Sequence, residues 1–496
     1  MPYRLIILLA VPVLLASCSL APSPRVPEQI AEIEGALAEP DPPAMHEQVE
    51  WWNAFDDPVL NRLVKTALGS NFDLEEAVAR VDHARARARI ARAVRLPAMQ
   101  AAVGPSEIRM PTSAGLGAQL DQLGLGSDVF EAFGFALPDR LDLTTYSVGA
   151  EFAYEADFWL RDRNVARSAR AESLAAESDL HAARIGTVAD TVGTYFEVVD
   201  LRHQRRLAGQ VVQLLKEWKW LMETRYDGGL VEAQDVYAAR RQLGDAEAEL
   251  PQLDALLANA EARLWVLVGG YREELEQMFP DVLATAASLG SGSAQVPADL
   301  LNQRPDVRAA RQRVEAARYA LGARRAELLP SLSLSGSIGL QGAESSDWFD
   351  PDQWFRNLSA NLLAPVLQRG RLRGNVEVAE SLLDAAVAAF GRSVLTAAHE
   401  VESAIAGLSA SRRRVEILAA LEEAAQAEAD LRHDRFASGL DDYGVFLAAS
   451  QMSLSAKSAR AAGERELGYA RLALHRAVGG DWTSAPAPPS PVRVAP

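Results

Sequence analysis

The sequence predicts a mainly α protein with a transmembrane β-barrel, built from a duplicated unit dominated by long antiparallel coiled-coil hairpins. Three observations carry this prediction. The chain repeats itself at a nearly constant offset. Two proline-free stretches of more than sixty residues show a 3.5-residue apolar period. Short stretches outside them alternate oily and small polar residues with a period of two.

The first element is a leader. Arg4 precedes the short apolar run Leu5 to Leu15, which Pro12 interrupts and which is too short to span a bilayer well. Leu15-Ala16-Ser17-Cys18 follows, and Cys18 is the only cysteine of the chain. A cysteine directly after small residues resembles a bacterial lipobox. That resemblance implies cleavage before Cys18, lipid on its thiol and new amine and, with Ser19 rather than Asp behind it, sorting to the outer membrane. An ordinary cleaved signal with an incidental cysteine is the alternative. One cysteine also excludes an internal disulfide. Residues 1–17 thus read as a signal peptide. Residues 18–55, rich in Pro, Glu and Ala, read as a lipid-anchored tether, and Pro-rich 481–496 as a disordered tail.

The duplication comes next. Arg225-Tyr226-Asp227-Gly228-Gly229-Leu230 matches Arg435-Phe436-Ala437-Ser438-Gly439-Leu440 at an offset of 210, and Val268-Gly269-Gly270 matches Val478-Gly479-Gly480 at the same offset. Asn71 to Pro97 aligns with Arg304 to Pro330 at an offset of 233, whereas Ala171-Glu172-Ser173-Leu174 matches Ala379-Glu380-Ser381-Leu382 at 208. The first copy therefore holds about 25 extra residues. They fall between Gly104 and Arg140 and read as a long loop. The repeats span 56–270 and 297–480.

Each repeat carries one helical hairpin, over 161–270 and 371–480. Its long helices are dense in Ala, Glu, Leu and Arg. Ile185, Val188, Val192, Tyr195 and Val199 form the seam of the first, and Val394, Ala398, Val401, Ile405 and Leu408 that of the second. Gly229 and Gly439 stand at the turns, where positive φ is easily adopted.

The strands are expected over about 97–104, 142–156, 331–340 and 357–364. Ser331 to Leu340 alternates Ser or Gly with Leu or Ile, and Tyr146, Val148, Ala150, Phe152 and Tyr154 alternate with smaller or polar residues. About ten alternating residues is the length of a transmembrane strand. Tyr146, Tyr154, Trp348 and Trp354 suit an interfacial girdle. Four strands cannot close a membrane barrel, and an open edge in lipid is forbidden, so several chains must share one. A soluble half-buried sheet would look the same locally.

Composition excludes other classes. The formal charge of −17 argues against nucleic acid. The seven histidines show no metal-ligand spacing, and no P-loop or nucleophile elbow is present, so no enzyme is expected.

Three local motifs carry a family resemblance. Tyr154-Glu155-Ala156-Asp157-Phe158-Trp159-Leu160-Arg161 and Ala364-Pro365-Val366-Leu367-Gln368-Arg369-Gly370-Arg371 lie at strand-to-helix junctions, and Leu301-Asn302-Gln303-Arg304-Pro305-Asp306-Val307 opens the second repeat. With the duplicated order, they resemble the TolC/OprM family of outer-membrane efflux proteins, in its lipoprotein (NodT-like) branch, over about Trp51 to Gly480. Leu160 stands where the family usually has Gly. The resemblance implies a homotrimer with a 12-strand β-barrel and a 12-helix periplasmic α-barrel. It implies an outer-membrane exit duct for small molecules such as drugs, served by a periplasmic adaptor and an inner-membrane pump of the RND type. It implies no cofactor beyond the covalent lipid. A duct for type I protein secretion or metal-ion efflux is the alternative. A periplasmic adaptor or a coiled-coil lipoprotein without a channel is the reading from another class.

The resemblance also points to sites. Gly229, Leu230, Gly439 and Leu440 at the tips would contact the adaptor. Asp235 matches an aspartate that the family uses at the periplasmic gate. The second-repeat counterpart is Ala448 here, and Asp441 and Asp442 stand in as gate candidates. A solvated helix start would account for all three aspartates equally.

Overall fold

The computed structural model describes residues 20–23, 50–111, 140–270, 304–344 and 350–479. Cys18, most of the tether, residues 112–139, Trp348 and the C-terminal tail lie outside them. The chain divides into two compact units. One holds Arg85–Arg170 and Glu315–Asp384 together with the N-terminus to Pro24; the other holds Arg25–Ala84, Ala171–Val314 and Ala385–Pro496.

The helices repeat with the sequence. α1 is Pro58–Ser70, α2 Phe72–Ala93, α3 Arg161–Asp227, α4 Ala233–Val268, α5 Pro305–Ala326, α6 Arg369–Ala437 and α7 Tyr443–Val478. α2 and α5 start and stop 233 residues apart, and α4 and α7 start and stop 210 apart, the same offsets that align the sequence. α3 and α6, of 67 and 69 residues, are the long proline-free helices.

The first unit carries the sheet. β1 (Ala98–Pro111), β2 (Arg140–Ala156), β3 (Ser331–Gly342) and β4 (Trp354–Leu363) form one antiparallel meander in that order. β1 runs seven residues beyond Gly104, into the region expected to be loop, pairing from Pro105↔Tyr146 to Pro111↔Arg140. The prolines concealed this. β1 is an edge strand, where a missing N–H need not break the ladder, so Pro105 and Pro111 are tolerated.

Register aligns the alternation of every strand. Met99, Phe152, Gly336 and Leu358 form one cross-strand row, and Val103, Val148, Leu340 and Trp354 another on the same face. The row Gln100, Glu151, Ser337 and Asn357 lies on the opposite face, whereas the row Ala101, Ala150, Ile338 and Arg356 shares the first. Through Ala98–Gly104 and the strands paired with it, one face is thus mainly oily, with Arg356 among its residues, and the other mainly small and polar. Beyond Pro105 the pattern reverses, with Ile108 and Leu143 on the polar side and Glu107 and Arg109 on the oily side. Leu358 is 76% exposed and Met99 likewise 76%. β1 and β4 keep free edges among the described residues.

The second unit has the larger core. The short 3-10 turn Trp51–Phe55 and α1 set Trp51, Trp52, Phe55, Leu60, Leu63 and Val64 against Val188, Val192, Tyr195, Phe196 and Val199 of α3. Asp57 caps α1 by accepting from the Val59 and Leu60 N–H groups, and its other oxygen accepts the Tyr195 hydroxyl. Every expected seam residue of α3 is buried. In α6 the seam passes through Ala397 and Ala404, while Ala398 and Ile405 are only half buried. At Ala397 and Ala398 two adjacent alanines fit the same period; at Ala404 the smaller residue takes the buried place and Ile405 stands half buried beside it. The alanine-rich α6 also contains a stretch of mean hydropathy 1.3, apolar enough by composition to cross a membrane, of which 28% is buried.

Each repeat closes head to tail by one device. The Asn71 Nδ2 donates to the Leu267 carbonyl at 2.9 Å, and the Arg304 Nη1 donates to the Ala477 carbonyl at 2.9 Å. Residues 71 and 304 are aligned, as are 267 and 477. Helix C-termini carry unsatisfied carbonyls, and the residue at the head of each repeat supplies the donor. Arg304 also pairs with Asp306 and Glu400, which explains the arginine and aspartate of the opening motif.

Candidate functional site at the hairpin tips and the strand junction

The two tips are built alike. Leu230 N–H donates to the Arg225 carbonyl and Gly229 N–H to that of Tyr226, at 2.8 and 2.9 Å. Leu440 and Gly439 repeat this on Arg435 and Phe436 at the same distances. Gly229 and Gly439 have φ of +70° and +74°, so glycine is required there. A turn of this kind usually lays the residue after glycine on an apolar partner at the start of the bonded turn. That partner is an arginine in both tips. Leu230 and Leu440 accordingly stay 77% and 66% exposed.

The carboxylates behind the tips all have partners within the chain. Asp235 lies in a capping box with Glu232, accepting the Glu232 N–H at 3.1 Å. Asp441 accepts both Nε and Nη2 of Arg435 at 2.8 Å and is reached by Arg432 at 3.2 Å. The Arg435 guanidinium, helped by Arg432, holds its carboxyl down at about 2. Asp442 caps α7 through the Gly444 N–H and pairs with Arg225 of the other hairpin at 3.0 Å. Both contacts, the Gly444 bond first, lower its pKa.

Asp442 is thus the one expected gate residue that spans the two hairpins. An aromatic contact beside it, not foreseen in the sequence, does the same. Trp218 of α3 stacks on Tyr443 of α7 with ring centroids 5.8 Å apart, and the Tyr443 hydroxyl donates to Glu217 at 3.2 Å. Phe436 and Phe446 pack edge-on against Tyr443. The alignment pairs Arg225 with Arg435 but gives no sign that the first crosses between hairpins while the second stays in its own turn.

The strand-to-helix junction explains its motif. Glu155 pairs with Arg161 at 2.8 Å, and both oxygens of Asp157 accept N–H groups of the first turn of α3, from Asp162 and Arg163. Trp159 donates its Nε1–H to the Pro330 carbonyl at 2.7 Å. Leu160 has φ of +60°, a left-handed conformation, which is why glycine is usual there. Its counterpart Gly370 lies inside α6 and needs no such conformation. No cluster of His, Cys, Asp and Glu able to hold a metal occurs among the described residues.

The model of the outer membrane efflux protein family matches residues 63–270 and 296–480, the two repeats. The chain belongs to that family. It is 29% identical to outer membrane protein OprJ of Pseudomonas aeruginosa, over 94% of each chain. It is 28% identical to the pyoverdine export outer membrane protein OpmQ of the same organism, over 88% of each. Its fold superposes on the solved outer-membrane channel OprN with a TM-score of 0.78 at 28% identity, covering 93% of this chain and 99% of that one. Membership makes it an outer-membrane protein of an efflux-channel fold, a transport protein rather than an enzyme. The oily strand face and the polar face of the same sheet have their meaning in that setting.

Proposed function

We propose that this chain is the exit duct of a tripartite efflux system, a homotrimer that passes small organic molecules from a periplasmic adaptor and an inner-membrane pump of the RND type to the exterior. The observation that carries this reading is the sheet. Where all four strands pair, one face is mainly apolar and the other mainly small and polar, and both edges are unpaired among the described residues. Such a sheet is stable in lipid only when its edges meet further copies, with the oily face outward and the polar face toward water. Three copies supply twelve strands, and their hairpins twelve helices. The substrate class draws on OpmQ, which is named for pyoverdine export. Cys18 carries the lipid in this reading, next to small residues at the end of the leader.

The tips give the reading its partners. Exposed leucines on two identical turns are apolar surface without an intramolecular use, and adaptor docking is their role. Behind them, the Arg225–Asp442 pair and the Tyr443–Glu217 bond hold the hairpins of one protomer together, so a gate opens by breaking these contacts. Efflux complementation in a strain lacking its own duct tests the docking role. Leu230→Asp with Leu440→Asp abolishes export while the protein still reaches the outer membrane in normal amount. Full export by that double variant contradicts it.

A further inference from the structure

The segment two residues beyond Cys18 rests on the unit that carries the sheet. Leu20, Ala21 and Pro22 are half buried there and Ser23 is exposed. The point of contact is Gly322 of α5, which is buried. A Cβ at Gly322 would lie 2.9 Å from the Ala21 Cβ, 2.9 Å from the Ala21 nitrogen and 2.9 Å from the Asn164 Nδ2. Glycine is needed because the backbone of the tail lies directly on the helix. Asn164, in the first turn of α3, is fully buried, and neither its Nδ2 nor its Oδ1 has a hydrogen-bond partner. Buried carboxamides are normally bonded, and leaving one unbonded forfeits its hydration with nothing in return.

The internal duplication separates this pair from the general needs of the fold. The position aligned with Gly322 in the first repeat is Arg89, and the offsets of 208 and 210 that bracket Asn164 pair it with Leu372 or Gly374. Neither residue is repeated, and the chain has only one N-terminal tail. We propose that Gly322 and Asn164 form a seat for the segment after Cys18, in which the Asn164 carboxamide, turned over about χ2, accepts the Ala21 N–H. Asn164 is then a positioning residue. The Ala21 nitrogen and the Asn164 Nδ2 each lie 2.9 Å from the same point above Gly322; both are donors, so the half-turn is what turns an acceptor toward the tail.

The seat fixes where the lipid leaves the protein; this consequence rests on acylation of Cys18, whereas the seat itself does not. Three residues from Cys18 to Ala21 reach at most about 11 Å. Asn164 lies five residues after Trp159, which is 41% exposed and bonded to Pro330 at the head of β3. A lipid on Cys18 would then leave the chain within that reach of the seat, on the unit whose Trp159 indole, with one bonded polar edge, suits the membrane interface.

The test uses the full chain in detergent with a nitroxide on Ser23→Cys. In the acylated protein the Cys18 thiol is blocked, so intact mass shows one label and the lipid. Two labels show an unacylated chain, which removes the anchor consequence and leaves the seat to the spectrum. The seat predicts an immobilised spectrum that loses its slow component in Gly322→Leu and in Asn164→Leu. A mobile label in the parent, or no change in these variants, overturns the seat. Should Gly322→Leu fail to assemble, Ala21→Cys with Gly322→Cys decides, because a small shift brings the two Cβ atoms to disulfide spacing. Oxidation then closes that bond, and its absence overturns the proposal.

Discussion

Single residues carry several of the departures from regular structure, and Leu160 is the most instructive. A left-handed leucine costs about 1–2 kcal/mol against glycine, less what glycine loses in chain entropy. Leu160→Gly is expected to raise the thermal midpoint, with a gain of about 1 kcal/mol, while Leu160→Ala, which keeps the strain and loses the side chain, lowers it. The sequence showed that a glycine was missing here; only the backbone angle shows that the position demands one. Asp441 gives a pH signature. Its folded pKa of about 2 lies below the unfolded carboxylate value near 3.9. Its contribution is therefore present above about pH 4 and lost as pH falls toward 2. Thermal melts of the parent and Asp441→Asn should differ at pH 5–7, and the difference should shrink to nothing near pH 2. Asp235, by contrast, is a cap, and Asp235→Ala should cost about 0.5–2 kcal/mol and leave conductance in planar bilayers unchanged. Asp442→Ala, which releases Arg225, should raise that conductance.

Among the elements, the helices were the most legible. Their 3.5-residue period and the repeat offsets placed α2, α4, α5 and α7 in matching pairs, because helical order is written in neighbours three and four residues apart. What was not legible was nonlocal. The seam of α6 slips to Ala397 and Ala404: Ala397 and Ala398 satisfy either register, and at the second position alanine is buried in place of Ile405. The extension of β1 depends on its being an edge, which no local pattern shows. The contact of Trp218 with Tyr443 joins residues 225 positions apart in sequence. The closure of each repeat belongs to this scale. Arg304→Met removes a donor to the Ala477 carbonyl and strands Glu400, and it should destabilise by about 2–3 kcal/mol in a thermal melt. Asn71→Ala, which loses neutral bonds only, should cost about half as much. Equal effects would mean that the charge of Arg304 contributes nothing.

For the whole molecule the question is what covers the oily face and the two free edges of a four-stranded sheet. Leu358, Leu362, Met99 and Val103 are open to solvent in a single chain, an arrangement that water does not tolerate and lipid does. The edges β1 and β4 must find strands of further copies, because no lipid group can bond them. Both requirements meet in one object, a closed barrel shared between chains. The protein mass of the detergent-extracted particle, measured by light scattering with the detergent subtracted, tests this most directly. Three chain masses are predicted. A single chain mass under mild extraction would leave the sheet edges unpaired and contradict the shared barrel.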